Sequence, residues 1–251
     1  MEDLIELVKR TGVITENTLY YWGYQYRLGK EYIVPYLTSL GIFKKSDSIA
    51  EIGSAEGGVL MAFAQQGASQ LLATDIVPYR LQDGEKIAKV SNLEIDFVKN
   101  DIINEPVPIE WKEKFDLVIL RDVIEHIDDT KKCLKNISKL LKKGGSLYVT
   151  FPPYTSPFGG HQHTLQNFWG KVPYIHLLPS FLFRKLISSG RAPDINEVMR
   201  LRNIRLNHRK LTKAANECDF EVFHKDFFFL RPVYKMKFGL PALRLNAISF
   251  L

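Results

Sequence analysis

With 251 residues, 45% of them hydrophobic and 25% charged, the chain holds enough core material for one globular domain, or one domain with a large insertion. This composition excludes a disordered or fibrous protein; no apolar run reaches the roughly 18–20 residues that span a bilayer. The acidic start Met1-Glu2-Asp3-Leu4-Ile5-Glu6 is unlike a secretory leader, and two cysteines, Cys133 and Cys218, are too few for a disulfide framework. They read as core residues of a reduced protein, and a cytoplasmic location is expected.

The net charge of +6 is unevenly placed: residues 184–213 hold nine Lys/Arg and two acids, so the rest of the chain sums to about −1. This segment is either a solvated helical face or a surface for an anionic partner.

In chain order, the first 45 residues carry the aromatic run Tyr20-Tyr21-Trp22-Gly23-Tyr24-Gln25-Tyr26 and a helical pattern over 28–40. They predict a helical cover over a sheet edge. From residue 48 strand and helix signals alternate. Short apolar runs at 49–52, 71–74, 95–98, 115–120 and 147–151 predict strands, with helical patterns at 57–66, 78–90 and 129–142 between them. In the last helix Asp128 or Asp129 can cap the start, and Cys133, Leu134, Ile137, Leu140 and Leu141 line one face. Lys142-Lys143-Gly144-Gly145 is expected to end it. The alternation implies βαβ units and an α/β fold: a Rossmann-like, mostly parallel sheet with helices on both faces.

The alternation stops at Pro152. Residues 152–206 are rich in Pro, Gly, His and aromatics without a strand pattern, and so large an insertion predicts a lid over a substrate. A helical pattern over 208–218 and strand patterns at 221–224 and 226–230 follow, implying a C-terminal antiparallel strand. The expected divisions are a helical cover (1–45), a nucleotide-type core (46–151), a lid (152–206) and a C-terminal completion of the core (207–251).

Open α/β sheets bind ligands beyond the carboxyl ends of their strands. Here those ends carry Glu51 and Gly53, Asp75, Asn100 and Asp101, and Arg121 and Asp122. The turn Gly53-Ser54-Ala55-Glu56-Gly57 has Ala55 where a middle glycine is common, so no positive φ is expected at that position. Asp75 lies 22 residues beyond Gly53, near the spacing of a ribose-binding carboxylate.

These strand-end motifs, in register, resemble the class I S-adenosylmethionine-dependent methyltransferases. The first motif resembles residues 50–57, the second 73–75, the third 97–101 and the fourth 115–126, followed by 140–149. The resemblance implies S-adenosyl-L-methionine as cofactor, with Gly53, Ser54, Ala55 and Gly57 around its methionine part and Glu51 supporting the turn or facing the ammonium. It also implies Asp75 at the ribose hydroxyls, Asn100 and Asp101 at the adenine edge, and Ile76 and Ile102 flanking the ring. Arg121 and Asp122 would sit near the methyl group. Asp122 can act as a base or cap the following turn, and Glu125-His126 either shapes that turn or takes part in substrate chemistry. Asp116, inside a strand pattern, reads as structural.

The acceptor is less defined. The basic segment, with Arg184, Arg191, Arg200, Arg202 and Arg205 as candidates, suggests an anionic one, and the insertion resembles methyltransferases of glycan and natural-product assembly. O-methylation of a sugar or glycan precursor is the first expectation. A lipid or quinone-type acceptor at a membrane surface is the second, because residues 174–187 are apolar with basic residues interspersed. RNA methylation is weaker, since no RNA-binding module is visible, and a non-catalytic cofactor-binding protein is weakest. The run Gly159-Gly160-His161-Gln162-His163 either structures the lid by hydrogen bonding or supplies the first and second candidate bases, His161 and His163, with His126 and His176 as possible neighbours. Two histidines two apart, with no nearby acid or cysteine, make an incomplete metal site, so no metal is expected.

Overall fold

The computed structural model describes residues 3–245. Met1, Glu2 and residues 246–251, parts of the expected helical cover and C-terminal completion, lie outside the described residues. The chain divides into two compact units. One comprises the residues up to Leu120, Asn136–Tyr148 and the chain from Phe223; the other comprises Arg121–Lys135 and Val149–Val222.

The first unit begins with helices α1 (Leu4–Thr11) and α2 (Glu16–Leu28); the Thr15 hydroxyl caps α2 by accepting from the Thr18 N–H at 3.1 Å. A π-helical turn, Gly29–Ile33, joins α2 to α3 (Val34–Ser39). The sheet follows: β1 (Ser48–Ile52), α4 (Gly58–Ala64), β2 (Gln70–Asp75), α5 (Pro78–Val90), β3 (Asp96–Lys99), β4 (Phe115–Arg121), α6 (Thr130–Leu140) and β5 (Leu141–Thr150). The strand order is β3-β2-β1-β4-β5, and the β1–β2, β1–β4 and β2–β3 pairs are parallel. This is a doubly wound sheet whose order reverses between β1 and β4. Trp22, Tyr26, Leu37, Val59, Phe63, Ile49 and Leu117 share one core, so the N-terminal helices are built into this unit with the sheet.

Three sequence expectations change. First, the Lys-Lys-Gly-Gly run lies within β5, not at a helix end. Gly145 sits so close to β4 that an added Cβ would lie 3.1 Å from the Phe115 carbonyl oxygen. Lys142 Nζ, meanwhile, reaches the Asp116 carboxylate at 2.7 Å. Asp116 also accepts from the Ser48 N–H and hydroxyl at 2.9 and 2.7 Å. Burial raises its pKa, but Lys142 and Ser48 outweigh burial and hold it below the usual carboxylate range. Second, residues 221–224 form no strand; β6 (Phe228–Leu230) pairs with β7 (Leu243–Arg244) as a separate antiparallel two-stranded sheet, with α10 (Pro232–Phe238) between them. Third, the insertion contains regular helix: α7 (Ser180–Ile187) and α8 (Ala192–Ile204), followed by α9 (His208–Asn216). Leu165, Ile175, Phe183, Ile187 and Val198 give the second unit a core of its own. Both cysteines are buried and neither is in a disulfide.

Candidate active site

In the first unit the turn after β1 is held from β2. Gly53, Ala55 and Gly57 all have positive φ (70°, 51° and 73°), so the expectation for Ala55 is overturned. The left-handed conformation costs alanine roughly 1 kcal/mol. It is held because the Ala55 N–H donates to Asp75 Oδ2 at 2.9 Å inside a buried environment. The other oxygen, Oδ1, accepts from the Val77 N–H at 2.9 Å, at the start of α5. One carboxylate therefore ties the glycine turn to the next helix. Each oxygen keeps a second lone pair, so Asp75 retains the acceptor capacity that a ribose diol needs.

Gly57 meets a second constraint, since an added Cβ would lie 2.9 Å from the Phe97 ring. Ser54 is fully buried and Glu51 is 1% exposed. Ile76 is 63% exposed and presents an apolar face, whereas Ile102 is 6% exposed and offers little surface for stacking. Asp101 is used by its own loop, accepting from the Ile103 and Asn104 N–H groups at 2.9 and 3.1 Å and from the Asn104 amide at 2.8 Å. The Asn100 amide donates to Glu105 at 2.9 Å. Sequence reading missed Glu56, a buried carboxyl 3.6 Å from Arg80. Burial raises its pKa, with Arg80 opposing. Its only visible signal was an acid inside a small-residue turn. The free lone pairs of Asp75, the tight turn and the open face of Ile76 fit a nucleoside cofactor.

In the second unit, Asp122 also has positive φ (56°); its N–H donates to the Thr150 carbonyl at 2.7 Å, and its carboxylate lies 3.6 Å from Arg121. A short 3-10 turn, Ile124–His126, then carries Glu125, 5% exposed, and His126. Here the fold gathers residues far apart in sequence. Glu125 Oε1 lies 4.0 Å from His126 Nε2 and 3.9 Å from His161 Nε2, and the His126 and His161 rings stack edge-on at 4.7 Å. His163 sits 5.6 Å from His161, ring to ring. His126 Nδ1 is 2.9 Å from Glu197 on α8. Arg200 in turn grips Glu197 with two 2.9 Å bonds, and donates to the His126 carbonyl at 2.7 Å and Asp128 at 3.0 Å.

Burial, helped by the neighbouring His126 and His163, lowers the His161 pKa to about 4. His161 is therefore neutral near pH 7: its lone pair can accept a hydrogen bond, but it holds a proton weakly. His176 is no partner of this cluster's chemistry; it is fully buried, with Nε2 2.6 Å from the Tyr154 carbonyl.

The arginines behave differently from the expectation of an anion site. Arg202 is 6% exposed and binds the carbonyls of His176 and Leu178, the latter at 2.6 Å, while lying over the Phe183 ring. These contacts hold the interior of the second unit, in place of the substrate contact expected from the sequence. Arg200 is taken up by Glu197 and Asp128. Arg205 donates to the Arg202 carbonyl at 2.8 Å, and Arg191 pairs with Asp194 at 2.7 Å. Arg184 is exposed on α7.

Residues 50–149 match the model of the "Methyltransferase domain" family. Over 105 residues the chain is 28% identical to a ubiquinone biosynthesis O-methyltransferase of Pelagibacter ubique, covering 42% of each chain. Over 129 residues it is 25% identical to the mitochondrial ubiquinone biosynthesis O-methyltransferase of Dictyostelium discoideum, covering 46% of this chain and 40% of that one. The chain thus spans about two fifths of the length of these relatives. A solved structure described as an S-adenosyl-L-methionine-dependent methyltransferase of Methanococcus maripaludis superposes with a TM-score of 0.51 at 17% identity. It covers 97% of this chain and 93% of that one, a likeness of fold. Residues 50–149 thus carry a methyltransferase domain, within a chain whose likeness to an S-adenosyl-L-methionine-dependent methyltransferase is one of fold.

Proposed function

We propose that the protein is an O-methyltransferase whose acceptor is an apolar, hydroxylated compound of quinone-precursor type, met at a membrane surface. The observation that carries the methyl-transfer reading is the Asp75 carboxylate, clipped to both the Ala55 and Val77 N–H groups at the carboxyl end of β2. A carboxylate held there is oriented before any ligand arrives, so binding a ribose diol costs little reorganisation. When bound, S-adenosylmethionine supplies a methyl group already activated on sulfur. The chain's residues must then hold the nucleoside and orient the acceptor oxygen. Asp75, the 53–57 turn and Ile76 take the first task. The second falls to Glu125, His126 and His161, where a neutral His161 can accept a hydrogen bond from a hydroxyl.

The acceptor class is supported by the named activity of the relatives and by the surface of the second unit. Phe168, Phe181 and Tyr174 are 70%, 72% and 50% exposed, with Leu177 and Leu182 also outward and Arg184 and Lys185 exposed on the same helix as Phe181. Exposed aromatics beside cations suit an anionic lipid surface. The sugar reading loses support because the arginines meant for an anion largely serve internal contacts.

The test is transfer of labelled methyl from S-adenosylmethionine to a panel of catechols and polyprenylated phenols, set against nucleotide sugars. Transfer to the phenolic set is expected. Transfer to nucleotide sugars alone would overturn the acceptor class, and no cofactor binding by calorimetry would overturn the methyltransferase reading.

A further inference from the structure

We propose that Glu125, His126 and His161 form a binding site for a first-row divalent transition ion, with Zn²⁺ the ion their donor set suits best. The three residues each direct one ligand atom inward, and these atoms all lie within 4.8 Å of one another. Two imidazole nitrogens and one carboxylate oxygen match borderline transition ions, whereas Mg²⁺ and Ca²⁺ favour all-oxygen sets. Zinc bonds of ~2.0–2.1 Å would draw the ligand atoms to roughly 3.3 Å apart, a closure that small side-chain rotations supply. Three protein ligands leave a coordination position open, the arrangement of reactive rather than purely structural zinc sites.

The surroundings are built as a metal site's surroundings are. His126 engages Glu197 through Nδ1 at 2.9 Å, which turns Nε2 toward Glu125 and His161. Carboxylate-to-imidazole contacts of this kind orient metal-binding histidines, and Arg200 fixes Glu197 in place. His161 is delivered by a closely packed loop. A Cβ on Gly159 would fall 2.0 Å from the Pro153 carbonyl oxygen, and one on Gly160 would fall 2.4 Å from the His176 side chain. The His161 N–H donates to the Phe158 carbonyl at 2.9 Å, and its carbonyl accepts from the Thr164 hydroxyl at 2.9 Å. The site rests on the cluster assigned above to the acceptor and deepens that reading: with the ion bound the His161 lone pair goes to the metal, the open coordination position takes over the acceptor hydroxyl, and neither cofactor nor acceptor is needed for the test.

The experiment is calorimetry and metal analysis of the full chain, stripped with chelator and titrated with Zn²⁺ or Co²⁺ alone. We expect one ion per chain, visible Co²⁺ bands of low-symmetry coordination, and at least a tenfold loss of affinity in Glu125→Gln and in His161→Ala. Glu197→Gln should weaken binding by ~10- to 100-fold through His126, while His224→Ala in the other unit changes nothing. His161→Gln, which preserves volume, decides the matter if His161→Ala does not fold. Binding below one ion per two chains, or affinity indifferent to Glu125→Gln and His161→Gln, would overturn the site. Because the titration contains no cofactor, failure here leaves methyl transfer standing, and loss of S-adenosylhomocysteine binding leaves the ion site standing.

Discussion

At the scale of single residues, Asp75 and His161 carry the most weight. Asp75 holds two backbone N–H groups, that of Ala55 in the turn and that of Val77 just before α5, so Asp75→Ala should cost on the order of 2–4 kcal/mol of stability. If it also receives the ribose, S-adenosylhomocysteine affinity should fall by tens-fold or more, since charge-assisted bonds are each worth about 1.5–3 kcal/mol. Calorimetry on a folded variant with unchanged affinity would remove it from the cofactor site. His161 makes a pH prediction. Its pKa falls from 6.5 in the unfolded chain to about 4 in the folded one. Above pH 6.5 neither state holds the proton, and the folded state keeps its full stability. As the pH falls toward 4, only the unfolded chain binds a proton, and up to on the order of 3 kcal/mol is lost. Urea unfolding of metal-free protein at pH 7 and pH 5 should show that slope, and His161→Gln should flatten it.

At the scale of elements, close approach decides more than propensity. Gly84 lies in the middle of α5, where alanine would favour the helix by about 1 kcal/mol. An added Cβ would nevertheless meet the Phe97 ring at 2.4 Å and the Glu56 carbonyl oxygen at 2.9 Å. Gly84→Ala should therefore destabilise by about 1–3 kcal/mol despite its better propensity, read as a lower melting temperature. Arg202 makes the parallel case for the second unit. Arg202→Met keeps the stem but strips donors from buried carbonyls, so the second unit should lose on the order of 2–4 kcal/mol, with hydrogen exchange in α7 and α8 rising first. An exchange rate there equal to wild type would mean that the clamp contributes nothing.

At the scale of the whole molecule, the basic balance divides into two uses. Part of it holds the second unit's interior, through Arg200 and Arg202. Part of it stays outward, as Arg184 and Lys185 beside exposed Phe181. Among the described residues no helix is long and apolar enough to cross a membrane. Sedimentation with anionic vesicles should carry the protein down at low salt, and Phe181→Asp with Phe168→Asp should leave it in the supernatant. Equal pelleting of wild type and double variant would refute the docking face.

The order of strands and helices from β1 to β5, the placement of Glu51, Asp75 and Asp122 at strand ends, and the structural use of Asp116 were legible in the chain alone. Each depends on local periodicity and on residues standing a few positions apart. α5 emerged at its expected bounds because Pro78 opens it and its apolar face repeats at helical spacing. What could not be read depends on partners distant in sequence. The positive φ of Ala55 is held by Asp75, the strand role of Gly145 by β4, and the burial of Arg202 by the carbonyls of His176 and Leu178. The histidine cluster is the clearest case. His161 and His163 lacked an acid in sequence and had His126 and His176 as equal possible neighbours; only the tertiary fold selects His126, brings Glu125 beside His161 and sets Glu197 behind His126. Periodicity reports which face of an element is buried, but not which side chains converge when elements pack.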